Sequence, residues 1–130
     1  MKRLLDTNAY TALHRGHAGV ADIVRTSSGF VFSTVVIGEL LFGFRHGNRF
    51  AKNAAELEDF LADARVEVID VTTTTADRFG RIAVALRKAG KPIPTNDIWI
   101  AAHAFESGAE LITFDAHFGA IPGLVWTQLT

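Results

Sequence analysis

The sequence predicts an α/β fold in which helices pack on a mostly parallel sheet. Short apolar, β-rich runs recur along the chain, and longer segments with helical spacing of apolar residues lie between them. Strands that alternate with helices in this way are typical of an α/β sandwich. The chain has 130 residues and is 48% hydrophobic, which suits one domain, spanning 1–130, with a substantial core.

Five short runs predict the strands of this sheet. They are rich in Leu, Ile, Val and Phe, and no linker, low-complexity tract or internal repeat separates them. The predicted strands are residues 3–6, 30–33, 66–70, 109–113 and 124–126.

Three apolar faces predict the clearest helices, because their members recur at spacings of three and four residues. The faces are Leu57, Phe60, Leu61 and Ala64, then Phe79, Ile82, Ala83 and Leu86, then Ile98, Ala101, Ala102 and Phe105. Gly90 followed by Pro92 ends the second helix, and Thr95 is the predicted N-cap of the third.

The composition excludes several classes of protein. The absence of cysteine excludes a disulfide scaffold, a thiolate metal site and a cysteine nucleophile. The formal net charge of -1 gives no overall basic field for a polyanion. The start "MKRLLDTNAY" does not fit a signal peptide, and the apolar run 30–44 is shorter than the ~20 residues of a membrane-spanning helix. We therefore expect a soluble, cytoplasmic protein.

Four carboxylates stand at matching positions relative to the predicted strands. Asp6 ends the first strand, Glu39 lies in the helix after the second, and Asp115 follows the fourth. Asp97 lies in the first turn of its helix. Because functional sites in parallel sheets gather beyond the carboxyl ends of the strands, we expect these side chains to share one crevice.

Glu39, Asp97 and Asp6 have no cationic partner nearby in the sequence, since Arg3 points to the opposite face of the strand from Asp6. Glu39 is the one charge in "STVVIGELLFGF", and its helical neighbours are apolar or glycine. Asp97 has no basic residue one helical turn away. Clustered carboxylates repel one another unless some are protonated or a cation holds them together. Oxygen ligands without cysteine favour Mg²⁺ or Mn²⁺.

Each acid also has a purely structural interpretation. Asp6 fits the N-cap of a helix starting near Ala9, and Asp97 is favourable in a first helical turn. Asp115 fits a turn, and Glu39 fits a chance exposed position. The four together, in equivalent places, favour a common site. Asp77, by contrast, is explained by a surface ion pair with Arg81.

Four motifs, "LLDTNAY", "STVVIGELLFG", "PTNDIWIAAHA" and "LITFDAHFGAIPGL", occur in an order that covers nearly the whole chain. In these motifs the sequence resembles a PIN domain, and more narrowly a VapC-type toxin ribonuclease. The resemblance implies a PIN-like three-layer α/β/α sandwich with a mostly parallel central sheet. It also implies a metal-dependent endoribonuclease that uses Mg²⁺ or Mn²⁺, with Asp6, Glu39, Asp97 and Asp115 as catalytic metal ligands.

The resemblance extends to partners and to supporting residues. It implies a homodimer, an RNA substrate, and a cognate VapB-type antitoxin bound across the active-site groove. Thr7, Asn8 and Thr113 match polar positions beside the acids, and Asn96 either orients the Asp97 turn or only starts a helix. His103 and His117 are close in sequence to the acids, and for His117 a structural or surface role is favoured over contact with substrate.

Three features of the sequence leave their roles open. Basic residues flank the acidic motifs in two groups, Arg45, Arg49 and Lys52, and Arg87, Lys88 and Lys91. They fit either RNA phosphate contacts or solvated helix ends. Phe42, Phe44 and Phe50 fit either an interface or the core.

Two rival functions remain at the level of sequence. A Mg²⁺-dependent phosphatase or phospho-acceptor domain also places Asp after parallel strands, but "LLDTN" lacks a second Asp two residues on, and no lysine follows the last strands. A PIN-like module that binds without cutting would not need to keep the four acids.

Overall fold

The computed structural model describes all residues from Met1 to Thr130. It contains five strands, six α-helices and one 3₁₀ turn. The elements are β1 Lys2–Leu5, α1 Thr7–His14, α2 Ala18–Thr26, β2 Gly29–Ser33, α3 Thr34–His46, α4 Phe50–Ala62, β3 Val66–Ile69, α5 Thr73–Ala89, α6 Thr95–Ser107, β4 Glu110–Thr113, the 3₁₀ turn Ala116–Ala120 and β5 Trp126–Gln128.

The five strands form one parallel sheet in the order β3-β2-β1-β4-β5. β1 is central, with β2 on one side and β4 on the other, and Leu5 pairs with Ile112 across the β1–β4 ladder. The chain therefore reverses its direction of progress across the sheet beside β1. Such a reversal opens a crevice at the carboxyl ends of the strands, where ligand sites form in α/β proteins.

The helices flank the sheet as layers of an α/β/α sandwich, which confirms the predicted fold class. A continuous core of 22 buried apolar residues joins the sheet to the helices. The three predicted helical faces point into this core, with Leu57, Leu86 and Ala101 buried, except for Ala64, which is exposed. No helix combines the length and the apolar character that crossing a membrane requires.

Several boundaries differ from the predicted ones. β5 begins at Trp126, two residues later than expected, because the chain first turns through Gly123, whose φ is +77°. α4 ends before Ala64. α2 was not predicted, although Val20, Ile23 and Val24 have the spacing of a helical face.

The predicted N-cap at Thr95 is wrong, because Thr95 already lies inside α6. Pro94 occupies the cap position, and its carbonyl oxygen accepts hydrogen bonds from the Asp97 and Ile98 amides at 3.0 and 3.3 Å. The predicted end of α5 is confirmed, since Gly90 takes the left-handed conformation that closes this helix.

Candidate metal centre and active site

One pocket at the carboxyl edge of the sheet collects all four predicted acids. Its volume is about 460 Å³, and no hydrophobic side chain lines it. The lining residues are Asp6, Thr7, Asn8, Glu39, Pro94, Thr95, Asn96, Asp97 and Asp115. The structure therefore brings together acids from positions 6 to 115 in one crevice, three of them after strands and Asp97 from the start of α6.

Asp6 caps the N-terminus of a helix and also lines the acid pocket. It is the N-cap of α1, where its Oδ1 accepts a hydrogen bond from the Ala9 amide at 2.9 Å. Its Oδ2 accepts one from Thr113 Oγ1 at 2.5 Å. Burial raises the pKa of Asp6 to about 6, and the nearby charges of Asp115 and Asp97 act in the same direction against these two hydrogen bonds.

Glu39 is half-buried on α3, and its partners come from other helices. Thr7 Oγ1 on α1 donates a hydrogen bond to Oε1 at 2.6 Å, and Asn96 Nδ2 on α6 donates one to Oε2 at 3.4 Å. These contacts hold the carboxylate at the wall of the pocket. They give Thr7 a physical role that its position in the motif only suggested, and they direct the Asn96 side chain to Glu39 rather than to the Asp97 turn.

Asp97 and Asp115 form the tightest part of the cluster together with His117. One potential ligand atom from each of the three residues lies within 4.8 Å of the other two. Burial raises the pKa of Asp97, and Glu39 and Asp115 raise it further, whereas a positive charge on His117 opposes them. Thr113 Oγ1 accepts a hydrogen bond from the Asp115 amide at 3.0 Å, which fixes the turn that carries Asp115.

His117 is the residue of this site whose place the sequence did not predict. Its Nε2 lies 2.8 Å from Asp97 Oδ2, at ion-pair distance but without the alignment of a hydrogen bond. Asp97 therefore has a cationic partner when the imidazole is protonated, although none is near it in the sequence. The spacing Asp115-x-His117 at the start of a 3₁₀ turn is the signal that would have pointed to this residue.

The second histidine of the motifs, His103, has a structural environment. His103 is fully buried on α6, with Nδ1 2.8 Å from Ser33 Oγ and Nε2 3.1 Å from the Asp70 carbonyl oxygen. Burial lowers the pKa of His103, so the folded protein favours the neutral ring. Because Ser33 caps α3, these contacts tie α6, which carries Asp97, to α3, which carries Glu39.

The donor set fits a hard divalent cation. The pocket presents carboxylate oxygens, threonine hydroxyls and asparagine side chains, with one imidazole nitrogen at its border. Oxygen donors of this kind are the ligands that Mg²⁺ and Mn²⁺ prefer. Burial raises the pKa values of Asp6 and Asp97, and the neighbouring carboxylates add to this effect, so the protein alone does not fully compensate their charges. A bound cation would compensate them.

Comparison with known protein families identifies the family to which this fold belongs. The PIN domain family matches residues 3–124, which is nearly the whole chain. The ribonuclease VapC2 of Haemophilus influenzae is 33% identical over 115 residues, covering 87% of this chain and 86% of the relative. The chain is a PIN domain of the VapC type. The residues that match the family include all four motifs noted in the sequence.

Further relatives of this PIN domain agree in sequence and in structure. The tRNA(fMet)-specific endonuclease VapC of Salmonella typhimurium is 29% identical over 127 residues, covering 95% of each chain. The toxin-antitoxin structure VapBC2 from Rickettsia felis, bound to a promoter DNA fragment, matches with a TM-score of 0.86 at 26% identity over the whole of both chains. VapBC-1 from nontypeable Haemophilus influenzae matches with a TM-score of 0.85 at 29% identity over 98% of both chains.

Proposed function

We propose that this PIN domain is a cytoplasmic, metal-dependent endoribonuclease and the toxin of a toxin–antitoxin pair. The observation that carries the proposal is the single pocket in which Asp6, Glu39, Asp97 and Asp115 converge within a VapC-type fold. The names of the relatives support the activity and the biological role, since they are ribonucleases and members of VapBC complexes.

The four acids are the proposed ligands of Mg²⁺ or Mn²⁺, directly or through water. Such an ion, when bound, supplies a water of lowered pKa and positive charge for the phosphate oxygens. The charge and donor types of the pocket support this assignment. His117 borders the set, and we assign it the role of holding the Asp97 carboxylate rather than that of a primary ligand, because Mg²⁺ and Mn²⁺ prefer oxygen.

Other side chains of the site orient the four acids or hold a proton. Thr113 orients the Asp6 carboxylate and the Asp115 turn, while Thr7 and Asn96 orient Glu39. The Asp97–His117 pair is placed to hold a proton released when water attacks the phosphodiester. Water adds to phosphorus and the bond from phosphorus to the 3′ oxygen breaks, which leaves a 5′-phosphate and a 3′-hydroxyl.

The proposed partners follow from the family. We infer a VapB-type antitoxin that covers the active-site groove, and a homodimer of the toxin. The solved relatives named above are VapBC assemblies, which supports the antitoxin partner. Phe42 is 73% exposed on α3, so this phenylalanine is not a core residue of the isolated chain, whereas Phe44 packs on the core. Exposed aromatic surface is typical of interfaces.

The experiment that tests the proposal is cleavage of total RNA by the purified protein with Mg²⁺, Mn²⁺ or EDTA. We expect discrete fragments with 5′-phosphate ends in the presence of metal, absent with EDTA and absent for Asp6→Asn. Sequencing of the fragment ends identifies the target, and transfer RNA is the first candidate because one relative is tRNA(fMet)-specific. Failure to cut by a folded, metal-binding, antitoxin-free protein would contradict the proposal and favour a phosphatase or a binding module.

A further inference from the structure

A second cavity opens directly beside the acid pocket. We call it the α1–α4 groove, because side chains of α1, α3 and the start of α4 line it. Its volume is about 530 Å³, and it shares Thr7 and Glu39 with the acid pocket. Its cationic wall consists of Arg15, Arg49 and Lys52. The groove therefore adjoins the acid pocket at Thr7 and Glu39 and presents a positively charged wall beside it.

The three cations of this wall have no acidic partner. Five of the 13 lysine and arginine residues form ion pairs with acidic side chains elsewhere, and none of these five lines the groove. Arg15, Arg49 and Lys52 are exposed and make no such pair. Glu56 is the acid that lines the groove beside Glu39, but it lies 3.5 Å from His14 Nδ1. Three positive charges therefore remain available to a ligand.

The structure also shows that the two basic groups, whose roles the sequence left open, are placed differently relative to the acids. Arg49 and Lys52 of the first group line the groove, and Arg15, which follows α1, joins them. Arg45 of the same group does not line it, and its guanidinium lies 4.3 Å from the centre of the Phe50 ring. The second group, Arg87, Lys88 and Lys91, lines neither the groove nor the acid pocket. Only one group therefore adjoins the acids.

We propose that the α1–α4 groove binds the backbone phosphates of single-stranded RNA on one side of the scissile bond. The inference rests on the proposed ribonuclease function and adds the path of the substrate. A strand that places one phosphate among four carboxylates must carry its neighbouring phosphates away from that negative charge. The groove adjoins the acid pocket at Thr7 and Glu39 and offers three free cations, which neutralise phosphates without reading the bases.

Binding of a labelled RNA tests this path against a matched control. The probe is a fluorescein-labelled, single-stranded RNA of 12 nucleotides, and every protein carries Asp97→Asn so that the RNA stays intact. The groove variant combines Arg15→Gln, Arg49→Gln and Lys52→Gln. The control combines Arg87→Gln, Lys88→Gln and Lys91→Gln, and it removes the same number of exposed positive charges. Fluorescence anisotropy gives Kd between 50 and 200 mM salt.

We expect the groove variant to bind at least tenfold more weakly at 100 mM salt. Its slope of log K against log salt should become shallower by about 2, because each neutralised phosphate of a single strand contributes about 0.7 to this slope. The control should keep the slope of the parent. Lys52→Gln alone should make the slope shallower by about 0.7. This single variant serves as a second test if the triple variant melts at a lower temperature than the control.

Different outcomes would contradict the role of the groove and the proposed ribonuclease function. Equal reductions of affinity in the groove variant and the control would overturn the proposed role of the groove, because they would show only a general effect of charge. An unchanged groove variant of a protein that still cleaves RNA would overturn the groove alone. Absence of RNA binding by the parent, together with absence of cleavage by the wild type, would overturn both. If the groove variant kept RNA binding but no longer bound a labelled polyglutamate peptide, the groove would belong to an acidic protein partner.

Discussion

Thr113 Oγ1 donates a hydrogen bond to Asp6 Oδ2 at 2.5 Å, and these two residues stand at the carboxyl ends of the adjacent strands β4 and β1. The same hydroxyl oxygen accepts a hydrogen bond from the Asp115 amide at 3.0 Å. One fully buried side chain therefore orients two of the four acids. Side chains that orient metal ligands in this way contribute to metal affinity without touching the metal.

Thr113→Val should weaken binding of Mn²⁺ by about 10- to 100-fold, because valine keeps the volume of threonine but removes the hydroxyl. Titration calorimetry measures the affinity. Thr127→Val is the matched control, since Thr127 Oγ1 donates a comparable hydrogen bond to Glu110 at 2.6 Å, outside the acid pocket. Equal affinities of the wild type and Thr113→Val would show that Thr113 does not orient the ligands.

Asp6 should make a contribution to the stability of the metal-free protein that falls as the pH rises from about 4 to about 6. In this window Asp6 is ionised in the unfolded chain but protonated in the folded protein, because burial raises its folded pKa from 3.8 to about 6. The folded state therefore binds more protons, and its stability falls with pH. The full effect of a shift of this size is about 3 kcal/mol.

Asp6→Asn should remove this part of the pH dependence. The measurement is the free energy of unfolding from urea melts between pH 4 and pH 8 in EDTA, for the wild type and the variant. The difference between the two proteins isolates Asp6 from other titrating groups. A variant that follows the wild-type profile in parallel throughout this range would contradict the raised pKa.

Asp97→Asn should abolish Mn²⁺ binding and leave the metal-free protein as stable as the wild type or more stable. The reason is that the pKa of Asp97 is raised by burial and by Glu39 and Asp115, so its charge is unfavourable in the absence of metal. Calorimetry and urea melts check the two parts. A marked loss of metal-free stability would show instead that Asp97 acts as a structural acid at the start of α6. Asp77→Asn is the control for loss of an exposed acid.

His103→Leu should destabilise the fold by about 2–4 kcal/mol at pH 7, because it removes two buried hydrogen bonds and leaves the Asp70 carbonyl without its partner. In the wild type, burial lowers the pKa of His103 below 6.5, so its contribution is present above pH 6.5 and is lost as the pH falls below it. Urea melts at pH 5.5 and pH 7.5 measure both effects. A destabilisation by His103→Leu that is as large at the lower pH as at the higher would contradict this account.

Much of the fold and of the acid cluster could be predicted from the sequence, because both follow from local patterns. The apolar runs locate the strands, and a parallel sheet brings whatever follows its strands to one edge. That rule accounts for Asp6, Glu39 and Asp115, which follow β1, β2 and β4, whereas Asp97 reaches the pocket from the start of α6, which follows a helix. The capping interpretation of Asp6 was also confirmed, so the two interpretations of this residue do not exclude each other.

The partners of the acids could not be predicted, because they come from distant parts of the chain. Glu39 is held by Thr7 and Asn96, and Asp97 lies beside His117, at separations that helical spacing does not describe. The position of Arg15 beside Arg49 and Lys52 likewise depends on how α1 packs near α3 and α4. These interactions are set by tertiary packing, and they decide which polar residues serve the site.

The most direct test of the account is the cleavage rate of one labelled RNA target as the Mn²⁺ concentration is raised, for the wild type, Asp97→Asn and Asp77→Asn. The account predicts a rate that rises with Mn²⁺ and then saturates for the wild type and Asp77→Asn, with no detectable cleavage by Asp97→Asn. Cleavage by the wild type that persists unchanged in EDTA, or an Asp97→Asn variant as active as the wild type, would contradict a metal-dependent site built on these acids.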